Sequence, residues 1–397
     1  MSTTTTVEIP ERIANSRTRL MALLFVGFVL SGIATTIIGP ILPVFIRKWG
    51  LDDGQAGMFS SIQFLASLVG TVLSGAWMAW RGYRPSLVAG YAFIGYGLAT
   101  LDASTHASAL VATAAFGLGY GLITPGTNLY VAEAGGARSA SLLNLLNFTW
   151  GLGAMACSPL IAMALRNNRL SGLLIGYGIF GAVLALALLF TRFGTERHDE
   201  TAEDSTRSAA RPVNRWVTMA LALLFFAYVG METSIGVWSA EYSRRIANGI
   251  SNITTLAPMF FYCGLTAGRG LAPLALLSIL EGPLVIAALS LTAIGTTIII
   301  FSTTLTVTIT GVFLAGLGCA PIYPIYIAWL SKWYGARAKR IGGFLFALAS
   351  LGGSAGPWLV GTVSKYSGSL RMGFIVPLLS AVVMVCIVLA LRRQTAH

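Results

Sequence analysis

The chain has 397 residues, 55% of them hydrophobic and 10% charged, with a mean hydropathy of +0.76. Soluble globular domains carry about a quarter of charged residues, so that class is excluded. The net charge of +12 is scattered over short loops without a basic stripe, which excludes a nucleic-acid partner. Cys157, Cys263, Cys319 and Cys386 fall singly inside apolar runs, with no CxxC or Cys/His spacing, so neither a disulfide framework nor a metal site is expected.

The apolar runs are each about 20 residues or longer, the length that carries a helix across a hydrocarbon core of roughly 30 Å. They predict twelve membrane helices. Six lie near 20–46, 55–80, 85–103, 107–133, 139–165 and 170–192, and six near 216–243, 253–278, 282–302, 304–332, 338–365 and 370–391. The short basic stretch before residue 20 lacks a cleavage site behind its apolar run and reads as a cytoplasmic tail. With the N-terminus inside, the cytoplasmic loops hold seventeen lysines and arginines against eight outside. Both termini are therefore expected in the cytoplasm. Residues 194–215 form the one long polar stretch and read as a linker between an N-terminal bundle, 1–193, and a C-terminal bundle, 216–397.

The two halves repeat. Gly117-Leu118-Gly119, Pro125 and Gly136-Ala137-Arg138 recur as Gly316-Leu317-Gly318, Pro324 and Gly335-Ala336-Arg337, at a constant offset of 199. A parallel repeat of two six-helix bundles places a ligand site near the midplane between them.

The seventh helix carries the strongest functional signal. Glu232 sits inside the apolar run from Phe225 to Ser243, where a carboxylate costs roughly 3 kcal/mol on insertion scales. Tyr228, Glu232, Gly236 and Ser239 share its face by spacing. Trp238 lies about 120° away on an ideal helix, and unwinding at Gly230 and Gly236 would bring it round.

Twelve helices as six plus six, a charged central linker and repeated Gly/Pro punctuation resemble the major facilitator superfamily. Its loop signature between the second and third helices appears in reduced form as Gly75 to Arg84, with Ala79 and Trp80 in the places of an Asp and an Arg. Within the superfamily, Ile41 to Phe45, Asp52 to Gly70, Asn128 and the run Leu142 to Ala154 are similar to the fucose:proton symporter family and related bacterial hexose permeases. That resemblance implies a sugar transporter working by alternating access. The places where fucose symporters carry their two proton-handling acids hold Gly39 and Thr124, so coupling by that pair is not carried over. The run Gly352 to Pro357 is similar to a signature of proton-driven drug antiporters, displaced here to the eleventh helix.

Amides supply donor and acceptor together, which a hydroxyl-rich ligand requires, and aromatic faces stack on the C–H face of a sugar ring. The expected substrate-binding set is Gln63, Asn128, Asn144, Asn147, Trp150, Glu232, Trp238, Tyr262 and Tyr323. Glu232, Arg138, Arg337 and Arg269 are coupling or gating candidates, with Arg269 expected near the cytoplasmic end of its helix. No nucleophile with a base and no nucleotide-binding loop is present, so no enzyme activity is expected. The sequence reads as an all-α integral membrane protein, a monomer in a bacterial inner membrane. It is expected to carry a hexose-like monosaccharide as a uniporter or cation-coupled symporter. No cofactor is expected, and a coupling proton or sodium ion is left open. The alternative is a proton-coupled exporter of amphipathic cations or drugs.

Overall fold

The computed structural model of the protein describes residues 11–102, 104–191, 215–249, 251–335 and 338–395. Within them the chain forms twelve helical rods, each at or beside an expected one. The first half comprises α1 (Glu11–Thr36, continued by Ile38–Trp49), α2 (Asp53–Arg81), α3 (Tyr83–Ala99), α4 (His106–Gly135), α5 (Ser139–Arg166) and α6 (Leu170–Phe190). The second half begins with α7 (Arg215–Ile246), α8 (Asn252–Thr255, continued by Ala257–Leu276) and α9 (Glu281–Phe301). It ends with α10 (Leu305–Cys319, continued by Ile322–Tyr334), α11 (Ala338–Ser367) and α12 (Leu370–Gly373, continued by Ile375–Thr395). Ten rods are long and apolar enough to span a membrane by length and composition. Of the other two, α3 is shorter, at 17 residues, and α8 carries Arg269 among small residues. Of the stretch read as a linker, all but Arg215 lies outside the described residues.

Four rods that the apolar runs predict as continuous are interrupted, and each interruption lies at or just before a proline. Ile37 precedes Pro40, Leu256 precedes Pro258, Ala320 and Pro321 precede Pro324, and Phe374 precedes Pro377. Proline has no N–H to donate, and its ring clashes with the carbonyl four residues earlier, which disrupts the helical ladder there.

The internal repeat has a physical cause at each of its positions. Asp52 and Ser251, 199 residues apart, cap α2 and α8, and Thr105 and Thr304, again 199 apart, cap α4 and α10. Each side chain accepts a backbone N–H that the first turn leaves unpaired. A Cβ added at Gly117 would fall on the carbonyl oxygen of Gln63 in α2, and one at Gly316 on that of Phe261 in α8. Gly119 and Gly318 press in the same way on α3 and α9. Small residues at these crossings let backbones approach closely, the packing that holds helices together in lipid. Gly136 and Gly335 close the motif with φ/ψ of 52°/−124° and 50°/−125°, a backbone region that glycine alone enters easily.

In the first bundle α4 packs on α2 and α3, α3 on α6, and α1 on α5. In the second α10 packs on α8 and α9, α9 on α12, and α7 on α11 and α12. The drug-antiporter-like run serves that last contact, since Gly352 and Gly356 lie against the backbone of Phe226 and Gly230. Large apolar side chains such as Val72, Phe190 and Leu274 remain exposed on the outer surface, where the solvent is lipid.

Gly316→Val forces α8 and α10 apart at a backbone carbonyl, and overpacking of this kind costs about 1–3 kcal/mol. Gly176 has open space where its Cβ would be, so Gly176→Ala should cost nothing. Scanning fluorimetry of the two variants in detergent tests this, and equal melting temperatures would contradict the packing argument.

Candidate functional site

The two bundles meet along three lines: α2 with α11, the second part of α1 with α7, and α5 with α8. We call the face where α1 begins and α12 ends the terminal face, and the opposite one the distal face. Close α2–α11 contacts fall in the distal halves. There Gly57 lies against Trp358, Ser61 donates to the Ser354 carbonyl at 2.9 Å, and Gly353 lies against Phe64.

At the distal end this seam is closed by charge. Glu241 of α7 is fully buried and accepts from Arg244 Nε and Nη2 at 2.7 and 2.6 Å and from Arg245 Nε at 2.7 Å. Arg245 reaches across the bundles and holds both carboxylate oxygens of Asp53 on α2, which also accepts from Ser364 of α11. Lys365 pairs with Asp52 at 3.1 Å. Each charge in this group has a partner of opposite sign, which is the condition for burying it. The Asp52 carboxyl is held below its ordinary range, first by the Gln55 backbone N–H that it caps and then by Lys365.

Toward the terminal face the bundles part. Asn144, Asn147 and Phe148 on α5, Leu129 on α4 and Ile327 on α10 are exposed there. The cleft between them ends at the middle of the rods, against a cluster of polar and aromatic groups. Glu232 is partly exposed at its floor, and among the described residues no cation stands within ion-pair distance of it. Tyr228, Tyr262, Tyr323 and, from the other bundle, Tyr120 lie within electrostatic reach of both Glu232 and Arg269. Tyr228 donates to the Cys319 carbonyl at 3.1 Å, beside the break in α10. Trp150 meets Tyr262 edge to face, ring centroids 6.1 Å apart, and its indole N–H points to Thr35 Oγ1 at 3.5 Å. The guanidinium of Arg269 stands 5.8 Å from the centre of the Trp150 ring.

Several expected site residues gather here. Trp150, Glu232, Tyr262 and Tyr323 meet at the floor. Asn128 lies two turns nearer the terminal face on the side of α4 that carries Tyr120 and Thr124. Asn144 and Asn147 line the approach along α5. Asn128 and Asn147 each spend one amide N–H on a carbonyl four residues back, at 2.8 and 2.9 Å, which leaves an acceptor oxygen and a second N–H. Gln63 is buried and donates to the Thr35 carbonyl at 3.0 Å, so it holds the wall of α1 in place.

Two expectations need correction. Trp238 does not come round to the Glu232 face, because α7 runs unbroken from Arg215 to Ile246 and Gly230 and Gly236 serve close packing on α11 and Tyr262. Its indole is fully buried and donates to the Pro357 carbonyl at 2.9 Å, tying α7 to α11. Arg269 is not at the terminal end of its helix but faces the midplane cluster, since Tyr262 and Arg269 are seven residues apart and share a side of α8. Arg138 is exposed on the terminal face, and Arg337 lies outside the described residues.

Tyr120 and Thr35 are the floor residues that sequence reasoning passed over. Tyr120, Thr124 and Asn128 recur every fourth residue and would have marked one polar face of α4. Glu241 was also missed, although its spacing of three and four to Arg244 and Arg245 is legible.

Twelve membrane helices in two similar bundles around a polar midplane cleft define a secondary-transporter architecture. The sequence profile of the Major Facilitator Superfamily matches residues 24–280, and the chain belongs to that family. No curated protein matches it in sequence. Among solved structures it is similar to a mutant of the nucleoside transporter NupG, with a TM-score of 0.75 and 14% identity over 94% of this chain and 99% of that one. The D-xylose-proton symporter gives a TM-score of 0.72 at 15% identity, covering 92% and 97% of the two chains. The transporter FucP, in the outward conformation, gives 0.61 at 18% identity, covering 94% and 98%. At these identities the likeness concerns the fold.

The distal network yields a prediction. Asp53→Asn removes the charge that Arg245 holds across the seam and should favour distal opening by about 1–2 kcal/mol, since the pair is partly exposed. Spin labels at Met58 and Tyr366, in a background without the native cysteines, should move apart, and an unchanged distance distribution would count against the latch. The Asp52–Lys365 contact contributes above the ordinary carboxylate range and is lost as pH falls through the lowered Asp52 value. Acidification should therefore widen the same distance.

Proposed function

We propose that the protein carries a small hydroxyl-rich solute, a hexose-like monosaccharide, across the membrane by alternating access. The observation that supports this reading most is a carboxylate, Glu232, partly exposed without a cationic partner at the floor of a cleft lined by phenols and amides. An anion in low dielectric binds a hydroxyl donor more strongly than it does in water. Tyr120 and Tyr323 supply hydroxyls, and Asn128 and Asn147 supply amides nearer the mouth. Trp150 and Tyr262 offer ring faces for the apolar side of a sugar. Trp238 is left out of the set because its indole is committed to Pro357.

The excess of lysine and arginine in the terminal-face loops assigns that face to the cytoplasm, so the cleft is read as open inward. The latch of Asp52, Asp53, Arg245 and Lys365 would then close the outer side and release when the bundles rock. Transport proceeds as uniport, or with a proton or sodium ion coupled through Glu232, by a monomer in a bacterial inner membrane. A pocket for lipophilic cations fits less well, because the Arg269 guanidinium over Trp150 repels a cation at the aromatic face it would use.

Glu232→Gln removes a charge-assisted hydrogen bond worth about 1.5–3 kcal/mol, so binding and uptake should fall by ten-fold or more. Thermal stabilisation of the purified protein by monosaccharides, and counterflow in proteoliposomes, measure this. Stabilisation by lipophilic cations alone would remove the sugar reading.

A further inference from the structure

The charged groups buried among the helices are paired, with one exception on each side of the sign. Glu241 is held by two arginines, Asp53 by Arg245 and Ser364, and Asp102 by Lys48 and Ser171. Glu281 accepts from the Trp329 indole at 2.7 Å, and Arg371 donates to the Ser302 carbonyl at 3.0 Å. Among the described residues Glu232 has no ion-pair partner and only the Tyr228 hydroxyl as a hydrogen-bonding neighbour, and Arg269 makes neither a hydrogen bond nor an ion pair; both lie at the midplane cluster. The Arg269 Nε is buried and unsatisfied. Its guanidinium stands 5.8 Å from the centre of the Trp150 ring.

A buried guanidinium N–H without an acceptor is costly, and a native structure that keeps one calls for an explanation. Pairing with Glu232 would be the simplest relief, yet the two groups stand apart among the same tyrosines. The guanidinium is planar by its own bonding, and its N–H groups form a fork. That fork matches a carboxylate, whose two oxygens accept in parallel.

We propose that Arg269 anchors a carboxylate on the transported solute, so that the substrate is a sugar acid, a hexuronate or aldonate, rather than a neutral hexose. This rests on reading the cleft as a sugar site and adds the charge of its ligand. The acid group lies in the fork of Arg269, and the hydroxyls at the other end of the chain or ring donate to Glu232. Both orphaned charges are then satisfied by one molecule, and the pair stays apart because the solute fits between them. A neutral sugar fills the same space but leaves the guanidinium with hydroxyl acceptors alone.

The test compares D-glucose with D-glucuronate, D-galacturonate and D-gluconate at matched ionic strength, by thermal shift and by isothermal titration on the full chain in detergent. Wild-type protein should bind at least one of the acids ten-fold or more tightly than glucose. Arg269→Gln should abolish that preference, so that the variant binds the acids no more tightly than it binds glucose. Arg269→Lys keeps the charge but loses the fork, and should retain only a minor part of the preference; it also serves if the glutamine variant does not fold. Equal binding of glucose and all three acids, or a preference that survives in Arg269→Gln, overturns the carboxylate anchor while leaving a sugar site in place. Binding of none of these four, with binding of some other solute class, removes the sugar site and the anchor together.

Discussion

A charge withdrawn from water has to be compensated by something fixed, and this requirement organises the whole interior of the protein. At the distal end the compensation is complete. Glu241 is encircled by Arg244 and Arg245, and Arg245 extends the network to Asp53 in the other bundle, so the seam between bundles is closed by groups that would be costly to separate. At the midplane the compensation is incomplete on the protein's side, because among the described residues neither Glu232 nor Arg269 has a partner of opposite charge. The contrast separates a structural lock from a binding site more sharply than residue type does, since both places are made of the same carboxylates and guanidinium groups.

The frame that holds these charges in position is made mainly of glycine and proline. Gly117 and Gly316 bring α4 onto α2 and α10 onto α8, and Gly119 and Gly318 bring the same rods onto α3 and α9. In each half the rod that carries the floor residues is thereby fixed from two sides. The halves then diverge where function needs them to. Pro125 lies within an unbroken α4, whereas Pro321 and Pro324 interrupt α10, and the Cys319 carbonyl beside that break receives the Tyr228 hydroxyl. A repeat that is exact in its packing residues is asymmetric in its cleft.

The fold was legible because its signals are local. Apolar runs fix the rods, and the recurring Gly-Leu-Gly and Gly-Ala-Arg motifs report contacts that any copy of the bundle must make, whereas the breaks were not legible, since Pro125, Pro159 and Pro357 lie inside unbroken helices. The cleft was legible in part. Glu232 announces itself by cost alone, and Trp150, Tyr262 and Tyr323 follow from lying on rods near the axis. Trp238 and Arg269 were misjudged for a common reason, namely that helix rotation and depth are set by packing against neighbours. Gly230 reads as a point of unwinding in the sequence but is a point of contact with Gly352 and Gly356 in the structure. Tyr120 and Thr35 are ordinary residues individually, and they become candidate site residues because α4 brings Tyr120 within electrostatic reach of Glu232 and Arg269 and α1 sets Thr35 beside Trp150.

The arrangement also constrains how the cleft would communicate with the distal face. Glu232 and Glu241 lie on one unbroken helix, nine residues or roughly 13 Å apart along its axis, and on opposite sides of it. The Trp238 indole lies between them and fastens α7 to α11 through Pro357, so α7 and α11 behave as a single body at this level. That body contributes every latch group of the second bundle: Arg245 and Glu241 from α7, Ser364 and Lys365 from α11. The first bundle contributes only Asp52 and Asp53, at the capped start of α2. Opening at the distal face requires these two carboxylates to leave Arg245 and Lys365 and the close contacts of Gly57 with Trp358 and of Ser61 with Ser354 to part.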